Sequence, residues 1–263
     1  MKNFQKNYNQ KDRFSAFWDR MALHYPHPFD EKTLAETHEV FSLVKSKGVE
    51  IFQSTILDIG CGNGIYSLPL ARDAAMVIGL DDSETMIALL TGTISSSGIQ
   101  NVRPVKASWK DIDISEFGFE KAFDIVWTSM TPAIQTKKDF NRMERCSKNW
   151  CVYIGWGRKR KNALMEEVFE SHGLHYGPPV GVQAAYDILV QSGRTPSLDY
   201  FESSWGWSGK VEDALEDMIC FIEMQGGHPD RSSIEKTLDR HEQEGRISHT
   251  TDVEEGIIVW QVS

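Results

Sequence analysis

Long apolar runs are missing from this chain of 263 residues. None approaches the roughly twenty residues that cross a bilayer, so no membrane partner is expected. The leading stretch Met1–Arg13 is polar and charged, without the apolar core of a secretory leader. Paired cysteines are missing as well. Cys61, Cys146, Cys151 and Cys220 form no CxxC pair and no zinc spacing with histidine. Reduced thiols, a cytoplasmic setting and no metal are the expectation. Surplus positive charge is absent: 28 Lys and Arg stand against 38 Asp and Glu, a net charge of −10. That balance carries no footprint for a phosphate backbone, so nucleic acid is not an expected partner. No internal repeat and no Gly/Ser linker interrupts the chain, which favours one domain.

What is present is organised around Thr55-Ile56-Leu57-Asp58-Ile59-Gly60-Cys61-Gly62-Asn63-Gly64. Ile56, Leu57 and Ile59 predict a strand covered on both faces. The alternate glycines predict a sharp turn that a ligand can approach closely, and a helix is expected from Ile65 to about Asp73. The free N–H groups and positive dipole end of that helix would face the ligand. Further strands are expected at Met76–Leu80, Asn101–Lys106, Phe123–Trp127 and Trp150–Ile154. Helices are expected between them, from Glu84 behind a Ser83 cap to Ser96 and over Lys137–Cys146. Strands alternating with helices predict a parallel sheet with helices on both faces. Before the motif, amphipathic helices are expected at about 12–24 and from Asp30 to Gly48, forming a helical cap over 1–50. The cofactor-binding core would occupy 51–157, and a C-terminal half 158–263 would carry a lid at about 173–195. That half reads as helices over 162–172, 182–191, 209–224 and 232–243, with strands at 198–207 and 256–262.

Two ligand classes suit a glycine turn behind a first strand. A dinucleotide unit requires G-x-G-x-x-G. Here the spacing is Gly60-x-Gly62-x-Gly64 with Asp58 ahead of it. Asp81 ends the second strand and serves a ribose in either case.

The stretch Leu57–Gly64 resembles the first motif of class I S-adenosylmethionine-dependent methyltransferases. Ile78-Gly79-Leu80-Asp81-Asp82-Ser83, followed by Met86, resembles their second motif. Lys106-Ala107-Ser108-Trp109 falls where the third stands, and Phe123–Trp127 is similar to their fourth strand. Phe17-Trp18-Asp19-Arg20-Met21-Ala22, ending in Tyr25, resembles the cap helix of small-molecule members. The resemblance implies a doubly wound α/β fold. Its sheet has seven strands, mostly parallel, with an antiparallel last strand. It also implies S-adenosyl-L-methionine as cofactor, with S-adenosyl-L-homocysteine as product.

Residue by residue, Gly60, Cys61 and Gly62 would pass under the methionine part, and Asp58 would hold the turn and its waters. Asp81 would take the ribose diol. Asp82 and Ser83 would border the adenine, with Met86 further along the helix. Ser108 replaces the family's frequent Asp at the adenine amino group, and Trp109 would lie against the ring. Thr128, just past the fourth strand, would offer its carbonyl, and Tyr25 would close over the methionine tail.

Methyl transfer needs a positioned nucleophile and excluded water. Acceptor contacts are expected beyond the carboxyl ends of strands four and five, at Met130, Thr131, Pro132 and Trp156. The fourth strand lacks the Asp/Asn-Pro-Pro-Tyr pattern of the amino-methyltransferases that act on bases or on protein Gln, so a small-molecule acceptor is expected. No residue stands out as catalytic base. His24 and His27 lie in a Pro-rich loop where solvation is the default reading. His172 and His175 lack a third metal ligand nearby. Arg158–Lys161 reads as a basic helix start, solvated or facing an anionic substrate group. An inactive cofactor-binding sensor of the same fold and a nicotinamide-dependent oxidoreductase are the competing readings.

Overall fold

The computed structural model describes residues 17–262, apart from the Leu23 side chain. The part of the first predicted helix at 12–16 lies outside them. Helix α1 is described over 17–21 and runs into a 3-10 turn at Ala22–His24. Helix α2 spans Glu31–Ser46. It buries Val40, Phe41 and Val44 at the spacing of one helical face.

Strand β1 is Thr55–Ile59, the one-turn helix α3 is Ser67–Leu70, and β2 is Met76–Asp81. Helix α4 spans Glu84–Ser97; the Ser83 side chain accepts from Met86 N and Gly98 closes the helix in the left-handed conformation. Strand β3 is Val102–Lys106 and β4 is Phe123–Ser129. Helix α5, Lys137–Cys146, starts with a reciprocal capping box between Thr136 and Asp139. Then follow β5 at Ser147–Lys161, α6 at Ala163–Ser171, α7 at Val182–Gln191 and β6 at Ser197–Lys210. Helices α8, Val211–Met224, and α9, Arg231–His241, precede β7, Arg246–Gln261.

The seven strands form one sheet in the order β3-β2-β1-β4-β5-β7-β6. The pairs β1–β2, β1–β4, β2–β3 and β4–β5 are parallel. Val262 N donates to Asn149 O at 2.8 Å, so the end of β7 meets the start of β5 and the last strand runs antiparallel. The central pair is clamped at both ends by polar side chains. At the start, Thr55 N and Oγ1 donate to Asp124 Oδ2 at 2.8 and 2.7 Å. At the far end, Thr128 Oγ1 donates to the Ile59 carbonyl at 3.1 Å.

The chain divides into two compact units. The larger, 25–159, 178–203 and 253–262 among the described residues, holds most of the sheet. One face of its sheet buries Ile56, Trp127, Val152 and Ile257 against α2, α3 and α4. The other buries Leu57, Val126, Tyr153 and Ile258 against α5 and α7. Helix α7 sits in the stretch predicted as a lid, yet Val182, Ala185 and Leu189 are buried in that sheet core. The smaller unit, 17–24, 160–177 and 204–252 among the described residues, has its own core of Leu164, Val168, Phe169, Met218, Ile222 and Leu238.

Three features differ from the sequence expectation. The helix after the glycine turn is one turn long, because the chain stays irregular through Tyr66 and Pro69 follows at once. Strands β5 and β7 extend well beyond their apolar centres, since paired charged residues carry the ladder onward. Arg158–Lys161 lies in β5 rather than opening a helix. Arg158 grips Glu254 at 2.8 and 2.7 Å, and Lys159 meets Glu202 at 2.9 Å.

Candidate cofactor and acceptor site

The glycine turn joins the carboxyl ends of β1, β2 and β4. Gly60 and Gly64 have φ of +73° and +95°, a region that residues with a Cβ avoid. A Cβ on Gly60 would lie 2.5 Å from Thr131 Oγ1, and one on Gly64 2.6 Å from Leu90 Cδ1. Four of the turn's N–H groups are already used. Gly60 N and Cys61 N donate to the Leu80 carbonyl at 2.7 and 3.1 Å, and Gly64 N to Cys61 O at 3.0 Å. Gly62 N donates to Asp81 Oδ2 at 2.9 Å. Ser83 N donates to Asp81 Oδ1 at 2.9 Å, so both carboxylate oxygens are oriented by backbone. Burial pushes the Asp81 carboxyl above the usual range, against the pull of those two bonds.

Beneath the turn, Asp58 is buried and accepts from Ser67 Oγ at 2.6 Å. Burial pushes its carboxyl up to about 7. Above the turn, Asn63 Nδ2 donates to Pro26 O at 2.8 Å, which ties the Tyr25–Pro28 segment to the floor. Tyr25 is about a third exposed. Its hydroxyl is enclosed, and burial with the nearby Asp81 and Glu255 carboxylates pushes its pKa up to about 12. The cradle therefore presents carboxylates rather than free N–H donors. That chemistry suits a ligand with hydroxyls and a sulfonium charge and repels a pyrophosphate. The cofactor implied by the sequence fits it and a dinucleotide does not. The helix dipole contributes little here, because α3 is a single turn.

The predicted residues Tyr25, Asp58, Gly60, Cys61, Gly62 and Asp81 come together. Asp82 is exposed beside them, and Ala107 N donates to Asp81 O at 2.9 Å, which brings the half-buried Ser108 to the same edge. Trp109 does not join them. It is 2% exposed in the sheet core, with the Arg142 guanidinium 4.5 Å over its ring. Thr128 lies inside β4 rather than past it, buried and bonded to Ile59. The first residues past β4 are Met130, with φ of +50°, then Thr131 and Pro132. All three, and Trp156 near the carboxyl end of the sheet, are half-buried.

Sequence reasoning missed Glu255 and Tyr66. Glu255 stands at the head of the apolar half of β7 and is 8% exposed. Burial, with Glu36 nearby, pushes its carboxyl up to about 7. Tyr66 faces Ser129, and burial and the Glu255 carboxylate hold its phenol well above the ordinary range. A charged pair, Glu254-Glu255, heading an apolar run was the available signal. Among the histidines, His27 Nδ1 accepts from Phe29 N at 3.2 Å, a local fastening, and His172 Nε2 accepts from Asp230 N at 2.9 Å. Among the described residues no group of three His, Cys, Asp or Glu is placed to hold a metal. No helix among them is long and apolar enough to cross a membrane.

Residues 56–149 match the sequence family described as "Methyltransferase domain". A ubiquinone biosynthesis O-methyltransferase of Rhizobium johnstonii is 34% identical over 125 residues, 44% of this chain and 48% of that one. The chain thus spans about half the length of that relative. A solved protein of Bacillus halodurans overlays with a TM-score of 0.55 at 14% identity, over 86% of this chain and 98% of that one. Magnesium protoporphyrin IX methyltransferase from Synechocystis, solved with S-adenosylmethionine bound, gives 0.52 at 12% identity, covering 98% of this chain and all of that one. The strand order, the glycine turn and the matched segment agree: residues 56–149 carry a methyltransferase domain, and the fold is Rossmann-like.

Proposed function

We propose that the protein moves a methyl group from S-adenosylmethionine to a small molecule held at the carboxyl ends of β4 and β5. The observation that carries this reading is Asp81, whose two oxygens are aimed by Gly62 N and Ser83 N while each keeps a lone pair for a ribose hydroxyl. In this reading Gly60, Cys61 and Gly62 floor the methionine part, with Asp58 bracing them from below. Asp82 and Ser108 border the adenine, and Tyr25 covers the tail. Trp109 supports that edge from the core instead of facing the ring. Met130, Thr131, Pro132 and Trp156 line the acceptor side. The cofactor supplies an activated methyl group. The chain's own residues position the acceptor and keep water out.

Thermal unfolding with S-adenosylmethionine, S-adenosylhomocysteine and NAD tests the reading. Either adenosyl ligand at a hundred times its Kd should stabilise by about 2.7 kcal/mol. That corresponds to a rise in Tm of roughly 5–10 °C for a chain of this size. NAD should produce none. A flat response to both adenosyl ligands would overturn the assignment.

A further inference from the structure

Resting on the methyl-transfer reading, we propose that Glu255 meets the acceptor, that the acceptor's nucleophile is a basic nitrogen, and that the carboxylate binds the ammonium and takes its proton. The sheet register places it. The bond from Val262 N to Asn149 O, and the approach of Gly157 to the Glu254 carbonyl, pair β5 with β7 so that Trp156 stands opposite Glu255. On β4, Ser129 is level with Ile154 of β5, two residues before Trp156. Glu255 thus lies in the same row as the residues expected to meet the acceptor.

Its side chain emerges on a defined face. Glu255 alternates with Ile257 and Val259, which are buried with Trp127 and Val152 beneath α2. Tyr66 closes that face, with its ring 5.3 Å from Trp127. Tyr25 lies near both Asp81 and Glu255, which puts the ribose end and the Glu255 end beside the same ring. Glu255 is almost wholly buried, yet no described residue donates a hydrogen bond to it. A buried carboxyl without a donor is costly unless a ligand completes it.

The charge around it selects the partner. Asp81 from β2 and Glu255 from β7 place carboxyl groups near Tyr25, and Glu36 from α2, itself 3.8 Å from Lys32, lies near Glu255. An acidic acceptor would be repelled. Tyr66 and Tyr25 are both driven away from ionisation, chiefly by burial and in addition by the Glu255 carboxylate. That carboxylate would oppose a phenolate acceptor too, whereas it attracts an ammonium group. The ammonium proton passes to the Glu255 carboxylate, which frees the nitrogen lone pair. That pair forms the N–C bond to the methyl carbon as the C–S bond breaks, and the C–S electrons stay on sulfur.

Sinefungin carries an amine at the position of the transferable methyl and is the probe. Calorimetry compares it with S-adenosylhomocysteine on the full chain and on Glu255→Gln. The expected result is at least a tenfold preference for sinefungin in the wild type, falling to within twofold in E255Q, with S-adenosylhomocysteine affinity changed less than threefold. A wild type that binds both equally overturns the proposal, and so does a preference that survives E255Q. If E255Q binds neither ligand, the wild-type preference alone decides. Failure of S-adenosylhomocysteine to bind the wild type would instead overturn the cofactor assignment.

Discussion

Asp81→Ala removes the group on which the cofactor assignment turns. Its carboxylate accepts two backbone N–H bonds of 2.9 Å, from Gly62 and Ser83. The remaining lone pairs are those expected to meet two ribose hydroxyls. Net hydrogen bonds to a charged group are worth about 1.5–3 kcal/mol each. Burial disfavours the charged form of Asp81, which lowers the net gain. A loss of about 2–3 kcal/mol in binding follows, roughly 30- to 150-fold in Kd for S-adenosylhomocysteine. Asp81→Asn keeps one acceptor oxygen and turns an NH2 group toward a backbone N–H, so it should recover only part of the loss. Isothermal titration calorimetry gives the constants, and urea unfolding of the free variants separates binding from folding. An Asp81→Ala protein that folds and binds within threefold of wild type would refute the placement of the ribose.

Two further outcomes concern stability. Gly60→Ala combines a left-handed φ with a Cβ 2.5 Å from Thr131 Oγ1 and should cost about 3 kcal/mol in urea unfolding; a cost under about 1 kcal/mol would show that the crowding is misjudged. For pH, burial holds Asp58 and Glu255 near 7, above their unfolded values, so the folded state binds more protons through that window and stability falls as pH rises. His249, pushed down to about 4 by burial, works in the opposite direction mainly below its ordinary value. The ligand-free protein should lose about 1 kcal/mol between pH 6.5 and 8. The slope should shrink in Glu255→Gln, and a stability that rises with pH in the wild type would contradict the assignment.

The half of the site built from consecutive strand–turn–helix units was legible in the sequence. Alternate glycines after an apolar run, Asp81 at the next strand end and the Ser83 cap are local signals, and each lies within about thirty residues of the turn. The structure places them where those signals pointed. The acceptor half was not legible for a physical reason. Glu255 reaches the cleft only because the last strand runs antiparallel beside β5, and no local pattern carries that pairing. Tyr66 was hidden inside a stretch read as helix, although Pro69 so soon after the turn argued for a short one. Trp109 shows a second limit of local signals. Its position in the motif suggested a ring wall, while its size and the Arg142 partner favoured burial in the core.

The clamps at the two ends of the β1–β4 pair bear on how the cradle comes into being. Thr55 with Asp124 and Ile59 with Thr128 each join residues 69 apart in the chain. Closing such a loop costs about 4 kcal/mol of chain entropy before any ladder bond is gained. The polar clamps make that closure selective, because a slip of one residue would leave Thr128 and Asp124 without their partners and turn Asp58 to the other face. Gly60 and Thr131 approach each other only once this register is locked. The floor of the cofactor site is therefore a late, all-or-none product of folding: a chain that has formed its local strand–turn–helix units has the motif but not yet the cradle.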